Sequence, residues 1–494
     1  MKTLLYILVL FGISYDVGAQ TISDALRYSQ YQITGTARNM GMGGTLTSIG
    51  ADLSAVGLNP AGTATFRKSR ISFTPLSETK KILTSFAGNN LDRKSMRFAL
   101  SQFGFVSVNQ PLASDWKLIN FSLAYNQLNN FNENFEFSGA SKGSISDRWL
   151  EQSRGFSPDQ FNPFEEGLAA DAGVLVLVDS TNWSYTTDYQ DYNHGKPLQK
   201  RQSVQTTGSM SRLSMNIAGN YREKLQVGVG LNIDFVFYTP TKTYIETRTT
   251  KEEIKVFEQL KYKELLNTSG SGVNLSIGAI YRPIHPIFLS VALTTPTAWT
   301  LNDTYSSELD YSYEDNGTSI KGNAQSPEGS FQYGLRTPLR LQAGGGYIIR
   351  KSGMLTTSIE WVSYGNARFD LTQESDNSDD LIYQDALNRD LPNAYSSAIS
   401  IKIGGEYAKG PWRLRGGYIL QQHPYANDNK FDTGYSFGGG LNSNRFFIDA
   451  AVMLQTQNAG YVPYLTKNKE LYPTQLVELH QKNLMVNMTL GWRL

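Results

Sequence analysis

The chain has 494 residues, a formal net charge of +1 and no cysteine. This excludes a strong field for nucleic acid, a disulfide framework and a cysteine-ligated metal site. Mean hydropathy is −0.35, and the only long apolar run is N-terminal. Transmembrane helices are therefore excluded, but a β-barrel is not, because its strands carry a much weaker hydropathy signal.

Residues 1–19 read as a secretory signal peptide. Lys2 supplies the charge, Leu4 to Ile13 the apolar stretch, and Val17-Gly18-Ala19 the small side chains before cleavage ahead of Gln20. Residues 20–69 form a separate leading segment with a glycine-rich run, TGTARNMGMGGTLTSIGADLSAVGLNPAG, from Thr34 to Gly62. Gly41-Met42-Gly43 begins like a dinucleotide fingerprint. Leu46 stands at its last glycine position, however, no strand precedes it and no GK[ST] follows, so a phosphate loop is rejected.

From residue 70 onward, period-two alternation dominates. In KLQVGVGLNIDFVFY (Lys224 to Tyr238), Leu225, Val227, Val229, Leu231, Ile233, Phe235 and Phe237 share one face, while Gln226, Gly228, Gly230, Asn232 and Asp234 share the other. Fourteen such segments are expected, at about 70–78, 96–109, 117–130, 205–221, 224–246, 271–282, 287–306, 337–349, 354–370, 397–408, 411–423, 433–443, 445–457 and 483–494. Short connections (110–116, 222–223, 283–286, 350–353, 409–410, 444) alternate with long ones (131–204, 247–270, 307–336, 371–396, 424–432, 458–482). A soluble sandwich has no reason to keep that rhythm. An outer-membrane barrel does, with short periplasmic turns and long extracellular loops. The fold class is thus all-β, an antiparallel transmembrane barrel of about 14 strands spanning 70–494, in the outer membrane of a Gram-negative bacterium. Leu225 and its companions then face lipid, and Asp234 faces the lumen.

Two long loops are expected to carry helices. Asn162-Pro163-Phe164-Glu165-Glu166 offers an N-cap, a proline at the first helical position and Glu165 at N3, with Leu168 sharing the face of Phe164. Glu252 to Leu266 places Ile254, Phe257 and Leu265 at roughly helical spacing. Such helices either tidy the loops or offer apolar faces to a greasy ligand. The last strand places Leu484, Val486, Met488, Leu490, Trp492 and Leu494 on one face, like the C-terminal strand of outer-membrane barrels, which commonly ends in an aromatic residue.

A lumen this wide leaks unless something fills it, so 20–69 is expected to fold inside as a hatch. The stretch resembles the N-terminal hatch of the FadL/TodX family of outer-membrane transport proteins. The likeness rests on Gly35-x-Ala37-Arg38-x-Met40-Gly41-Met42-Gly43-Gly44, Asp52-x-Ser54-Ala55 and Asn59-Pro60-Ala61-Gly62. The resemblance implies passive transport of hydrophobic compounds such as long-chain fatty acids or aromatic hydrocarbons. In that family ligand is captured among outer loops, passage is gated by the hatch, and exit is sideways through a gap in the wall. It also implies that Gly41, Gly43, Gly44, Asn59, Pro60 and Ala61 belong to the gating hatch, although Asn59 and Pro60 also suit a purely structural turn.

A fatty-acid carboxylate needs a cation, and Arg340, Lys402, Arg413 and Arg415 lie on expected inward faces. No G-x-S-x-G is present, and His194, His285, His423 and His480 are scattered, so neither an enzyme, a cofactor nor a metal site is expected. The partners expected are a hydrophobic small molecule and outer-membrane lipid, with no nucleic acid. The alternative function is a FadL-like barrel serving as a protein-binding component of a secretion apparatus. Apolar patches above the lipid band would mark it.

Overall fold

The computed structural model describes residues 21–350, 352–372, 377–467 and 474–494. The expected signal peptide lies outside them. Side chains alternate in and out along every spanning strand, and the strands close into one antiparallel barrel of fourteen. In chain order they are β1 (Arg70–Phe86), β2 (Asn89–Asn109), β3 (Trp116–Asn130, extended by Glu133–Lys142), β4 (Pro197–Tyr221), β5 (Leu225–Thr247), β6 (Phe257–Tyr281) and β7 (Ile287–Thr294, resumed as Ala298–Asp315). The second half comprises β8 (Gly329–Arg336, resumed as Arg340–Ile349), β9 (Gly353–Ser363), β10 (Ser397–Lys409), β11 (Trp412–Gln422), β12 (Phe431–Asn442), β13 (Phe446–Tyr461) and β14 (Val477–Arg493). Closure comes from β1 pairing with β14, from Arg70 opposite Arg493 to Ser85 opposite Glu478.

Exposure follows the alternation. Val229, Leu231, Phe235 and Phe237 of β5 are exposed, while Gln226, Asn232 and Asp234 are fully buried. The apolar face is outside and the polar face inside, the inverse of a soluble sandwich and the arrangement of a barrel in lipid. At the short-turn end, exposed Trp116, Tyr281, Tyr347, Tyr407, Trp412 and Trp492 form an aromatic girdle at the edge of that band.

Several strands run further than alternation of polarity alone predicts. β1 and β2 continue to a two-residue turn at Ala87-Gly88, both with positive φ. Beyond the lipid band both faces of a hairpin are wet, so the pattern fades there; Lys81 and Asp92 pair at 2.7 Å on its exposed surface. The strand expected at 287–306 is interrupted at Thr295-Pro296-Thr297, and its neighbour breaks beside it at 337–339, because Pro296 and Pro338 have no N–H for the ladder. The strand expected at 354–370 stops at Ser363, followed by a 3₁₀ turn at Tyr364–Asn366.

The helix expected across 252–266 is a correction. Residues from Phe257 belong to β6, paired with β5 and with the upper part of β7. Leu260 and Tyr262 point inward while Lys261 and Lys263 reach Asp310 and Glu308 of β7. Two flanking strands, each offering a full ladder, override a helical spacing of three apolar residues.

The leading segment carries α1 (Ile22–Arg27) and α2 (Ala37–Gly41), and the loops carry α3 (Ile145–Ser153), α4 (Glu166–Asp171), α5 (Asp188–Asn193) and α6 (Ser378–Ala394). The helix expected from Asn162 begins later, at Glu166. The Asn162 side chain accepts from the Phe164 amide, Glu166 rather than Glu165 reaches back to the Asn162 amide, and Glu165 pairs with Arg148. Trp149, Leu150, Leu168 and Tyr189 are buried with Ile254 and Phe257 in a cap over the lumen, so the apolar faces of α3 and α4 are spent on loop packing.

In the loop after β11, His423 stands between two carboxylates, Nδ1 at 2.9 Å from Asp428 and Nε2 at 3.0 Å from Asp432. The hydrogen bond to Asp432 leads in holding the imidazolium above its ordinary value; burial opposes it and Asp428 adds to it. A raised folded pKa means the clamp stabilises fully below the unfolded value, about 6.5, and is lost as pH rises through the folded one. Amide-exchange protection of 423–432 is therefore expected to be constant between pH ~5 and ~6.5, where both carboxylates are ionised, and to fall above that range. His423→Gln should abolish that dependence, and a flat profile in the parent chain would refute the clamp.

Candidate functional site

The leading segment lies inside the lumen and is stitched to itself before it meets the wall. Thr36 caps α2 by accepting from the Asn39 amide, and its hydroxyl bonds both oxygens of Asp52 at 2.8 Å. Asp52 also accepts from the Ser54 amide at 2.9 Å, and the Ser54 hydroxyl accepts from the Thr36 amide at 2.8 Å. The Asp52-x-Ser54 element thus closes the glycine-rich turn. Gly43 and Gly44, at φ 66° and 80°, lead the chain out of α2 through the left-handed region.

The seam with the wall is backbone against backbone. Inward-facing glycines on β5, β6, β8, β10, β11 and β12 leave room for it. A Cβ at Gly228 would stand 2.6 Å from the Pro60 carbonyl carbon, and one at Gly278 2.0 Å from Asn59 Oδ1. At Gly417 it would meet the Gly43 nitrogen at 2.4 Å, and at Gly438 the Gly41 Cα at 3.2 Å. Asn59 donates to the Thr47 carbonyl at 2.7 Å, and Ala61 is buried beside Ile280 and Phe288. Five of the six expected hatch residues, Gly41, Gly43, Asn59, Pro60 and Ala61, thus lie on this seam; Gly44 packs instead against Ile33 within the segment.

Ion pairs anchor the segment as well. Arg212 of β4, 1% exposed, holds Asp234 of β5 with two bonds of 2.7 and 2.8 Å. Its remaining donors reach the Gly57 carbonyl and the Tyr31 hydroxyl, at 3.0 and 2.8 Å. Arg38 forks onto Glu406 of β10, which Arg415 also contacts at 2.7 Å. Sequence reading placed Asp234 in the lumen and Arg38 in the hatch motif, but missed Arg212, Tyr31 and the pairing of Arg38 with Glu406.

One stretch of wall is incomplete. β2 ladders with β3 only between Gln102–Asn109 and Asn126–Ile119. Below Gln102 in sequence, Asn89–Leu100 ladder with β1 alone, and Arg93, Arg97 and Asn89 bridge to the β3 side with side chains. At the top of the β2–β3 ladder, Ser101 is a bulge residue opposite Pro75, unmatched between the pairs Thr74–Gln102 and Pro75–Leu100. The leading segment fills this place. Gln32 donates its amide to the Leu128 carbonyl at 2.8 Å, Thr34 donates its hydroxyl to the Gln127 carbonyl, and Asn129 donates to the Gln30 carbonyl at 3.2 Å. Gly35 exchanges two bonds with the Ser101 hydroxyl, at 2.9 and 2.8 Å. Residues 30–35 thus bridge the end of the β2–β3 ladder, meeting β3 at Gln127, Leu128 and Asn129 and β2 at the Ser101 side chain.

At the end of the segment that carries α1 lies a packed apolar and aromatic cluster. α1 and Tyr28 are packed among Leu128, Phe131, Met210, Val236, Trp299 and Tyr333. The Tyr28 ring sits 6.3 to 6.5 Å from those of Phe131, Tyr238 and Trp299. Trp299 Nε1 and Tyr333 OH are buried in this cluster without a hydrogen-bond partner in the protein, polar tips among apolar side chains. Aromatic residues at inward positions of β5, β7 and β8 were the sequence signal for it.

The four expected carboxylate partners separate. Arg340 and Lys402 line one narrow cleft with Tyr31, Glu360 and Tyr364. Arg340 pairs with Glu360 at 2.9 Å and lies 3.7 Å over the Tyr31 ring. Among the described residues Lys402 has no carboxylate within ion-pair distance. Arg415 is already neutralised by Glu406 and by Asp449 at 2.6 Å. Arg413 sits at the short-turn end, donating to the Gly410 and Trp412 carbonyls. Among the described residues no three His, Asp or Glu side chains gather as a metal site.

No family model matches the sequence, and no curated protein matches it. Solved structures do. A FadL homologue of Pseudomonas aeruginosa aligns with TM-score 0.58 at 12% identity, covering 94% of this chain and 99% of that one. The toluene transporter TodX of P. putida gives 0.52 at 12% identity with the same coverage, and the toluene transporter TbuX of Ralstonia pickettii 0.50 at 14%. The chain therefore has the FadL/TodX fold, a closed antiparallel barrel of fourteen strands with an apolar outer face.

The seam makes a contrast testable. Gly417→Leu drives a side chain into the segment's backbone, whereas at the adjacent, outward Gly416 the nearest atom to a Cβ is the Ser436 carbonyl oxygen at 3.9 Å. In planar bilayers, Gly417→Leu is expected to raise single-channel conductance severalfold and Gly416→Leu to leave it at the parent level. Equal conductances would refute the seating.

Proposed function

We propose that this barrel passively carries hydrophobic compounds across the outer membrane, with residues 30–35 as the moving stopper of a lateral exit between β2 and β3. The observation that carries the reading is the incomplete β2–β3 ladder, bridged at its end by residues 30–35 of the plug. Most of these bonds are single and uncharged, each contributing about 1 kcal/mol net, so the stopper is far weaker than the ladders around it. The seam residues Gly41, Gly43, Asn59, Pro60 and Ala61, with Gly44, form the fixed base of the hatch. Displacement of 30–35, carrying α1 and Tyr28 with it, opens the aromatic cluster towards lipid, where a hydrophobic solute partitions without crossing water.

The neighbours in fold that are described as toluene transporters support a hydrophobic cargo. A long-chain fatty acid is the finer reading, with its tail among Trp299, Phe131 and Tyr333 and its carboxylate at Lys402 beside Arg340. One observation favours the protein-binding alternative. Val176, Leu177 and Val178 are consecutively exposed on a small hairpin above the lipid band.

Uptake of labelled toluene and oleate tests the reading, in cells whose own carriers are deleted. The chain should raise uptake above vector level, and Thr34→Ala with Ser101→Ala should raise it severalfold further. A folded, heat-modifiable barrel with no uptake of either compound would sink the transport reading. Unchanged uptake in the double variant would sink the stopper. Lys402→Gln should lower oleate uptake about tenfold and spare toluene, as loss of a charge-assisted bond predicts; equal effects on both would remove the carboxylate site.

A further inference from the structure

The molecule is nearly neutral overall, yet its short-turn end is not. Six connections at that end each carry a cation that pairs with no carboxylate among the described residues: Lys68 before β1, Lys224 between β4 and β5, Arg282 after β6, Arg350 after β8, Lys409 closing β10 and Arg445 between β12 and β13. All but Arg282, which is half-buried, are exposed. The two acidic residues in these turns are already committed, Asp115 to Arg222 at 2.8 Å and Glu223 to Arg67 at 3.0 Å. With a chain total of +1, the excess at this rim is balanced by an acidic excess elsewhere.

The cations ring the barrel rather than cluster on one side, because each comes from a different connection. They also stand just beyond the aromatic girdle, one to three residues from Tyr281, Tyr347, Tyr407, Trp412 and Phe446. Aromatic side chains of this kind mark the level where acyl chains give way to head groups. A ring of uncompensated cations immediately past that level lies at the depth of lipid phosphates, within one Debye length of them.

We propose that the short-turn rim is a binding collar for anionic phospholipid head groups of the adjoining leaflet. Each side chain donates to a phosphate oxygen at the end of the lipid-facing band, on a turn too short to fold away. The collar is independent of the transport reading, since none of its residues touches the aromatic cluster, the stopper or the Lys402 cleft.

The experiment is native mass spectrometry on the full chain in detergent, with equimolar phosphatidylglycerol and phosphatidylcholine as probes. The parent should retain phosphatidylglycerol about fivefold over phosphatidylcholine, falling as salt rises. K68Q/K224Q/R350Q/K409Q/R445Q should bring the ratio to about one while keeping the heat-modifiable barrel. K255Q/K321Q, at the opposite end, should leave it at the parent value. An unchanged ratio in the five-site variant, or an equal loss in the two-site control, would overturn the proposal. So would absence of any phosphatidylglycerol preference in the parent together with retention of poly-glutamate, which would assign the collar to an acidic protein instead.

Discussion

Inside a hydrocarbon layer every backbone N–H and C=O must find its partner within the protein. For this chain the condition is met by one long closure, β1 against β14, and by ladders between all other neighbours. Everything else follows from it. A closed ring of fourteen strands encloses more space than its own side chains fill, so the lumen needs an occupant. The same rule makes the short β2–β3 ladder conspicuous. Of the β3 groups left without a β2 partner there, the Gln127 and Leu128 carbonyls are taken by Thr34 and Gln32 of the leading segment.

The plug is held by two kinds of contact with different consequences. Along the seam, the wall gives up side chains so that backbones touch. Any Cβ at Gly228, Gly278 or Gly417 would collide, so the fit is steric and rigid. Beside it stand buried ion pairs, Arg212 with Asp234 and Arg38 with Glu406. Burying such charges costs desolvation that their attraction only partly offsets, so they contribute position more than stability. Removing one partner alone would leave the other charge buried and unpaired. At the β2–β3 break, by contrast, the contacts are mostly single hydrogen bonds from Gln32, Thr34 and Gly35. The plug is therefore firmly seated along the glycine seam and lightly fastened at the β2–β3 break.

The two ends of the barrel differ in chemistry as well as in loop length. The long-loop end is closed by a cap whose apolar residues, Trp149, Leu168 and Phe257 among them, face one another rather than solvent. The short-turn end is an aromatic girdle with a basic rim beyond it. The strands pass between these ends with no charged side chain on the lipid band of β5 or β14, while the lumen collects the charges that the band excludes.

Sequence alone determined the barrel, because period two is a local property. Each strand's inner and outer faces could be read from its own residues, as Val229 against Asn232 or Ile448 against Asp449 shows, and the rhythm of short and long connections set the direction of every strand. The glycine-rich motifs were also legible as a plug, since only backbone without side chains packs so closely. What the tertiary structure decided were pairings between residues far apart in the chain. Ile254, Phe257 and Leu265 sit at helical spacing, and only the neighbouring ladders of β5 and β7 make Phe257 onward a strand. Arg340, Lys402, Arg413 and Arg415 looked alike as inward cations. Glu360, Glu406 and Asp449 lie on other strands or at other levels, and they decide which charge is spent and which is left. The bridge that residues 30–35 make at the β2–β3 break was beyond reach for the same reason: a ladder that ends early is a fact about two strands at once, and no single strand records it.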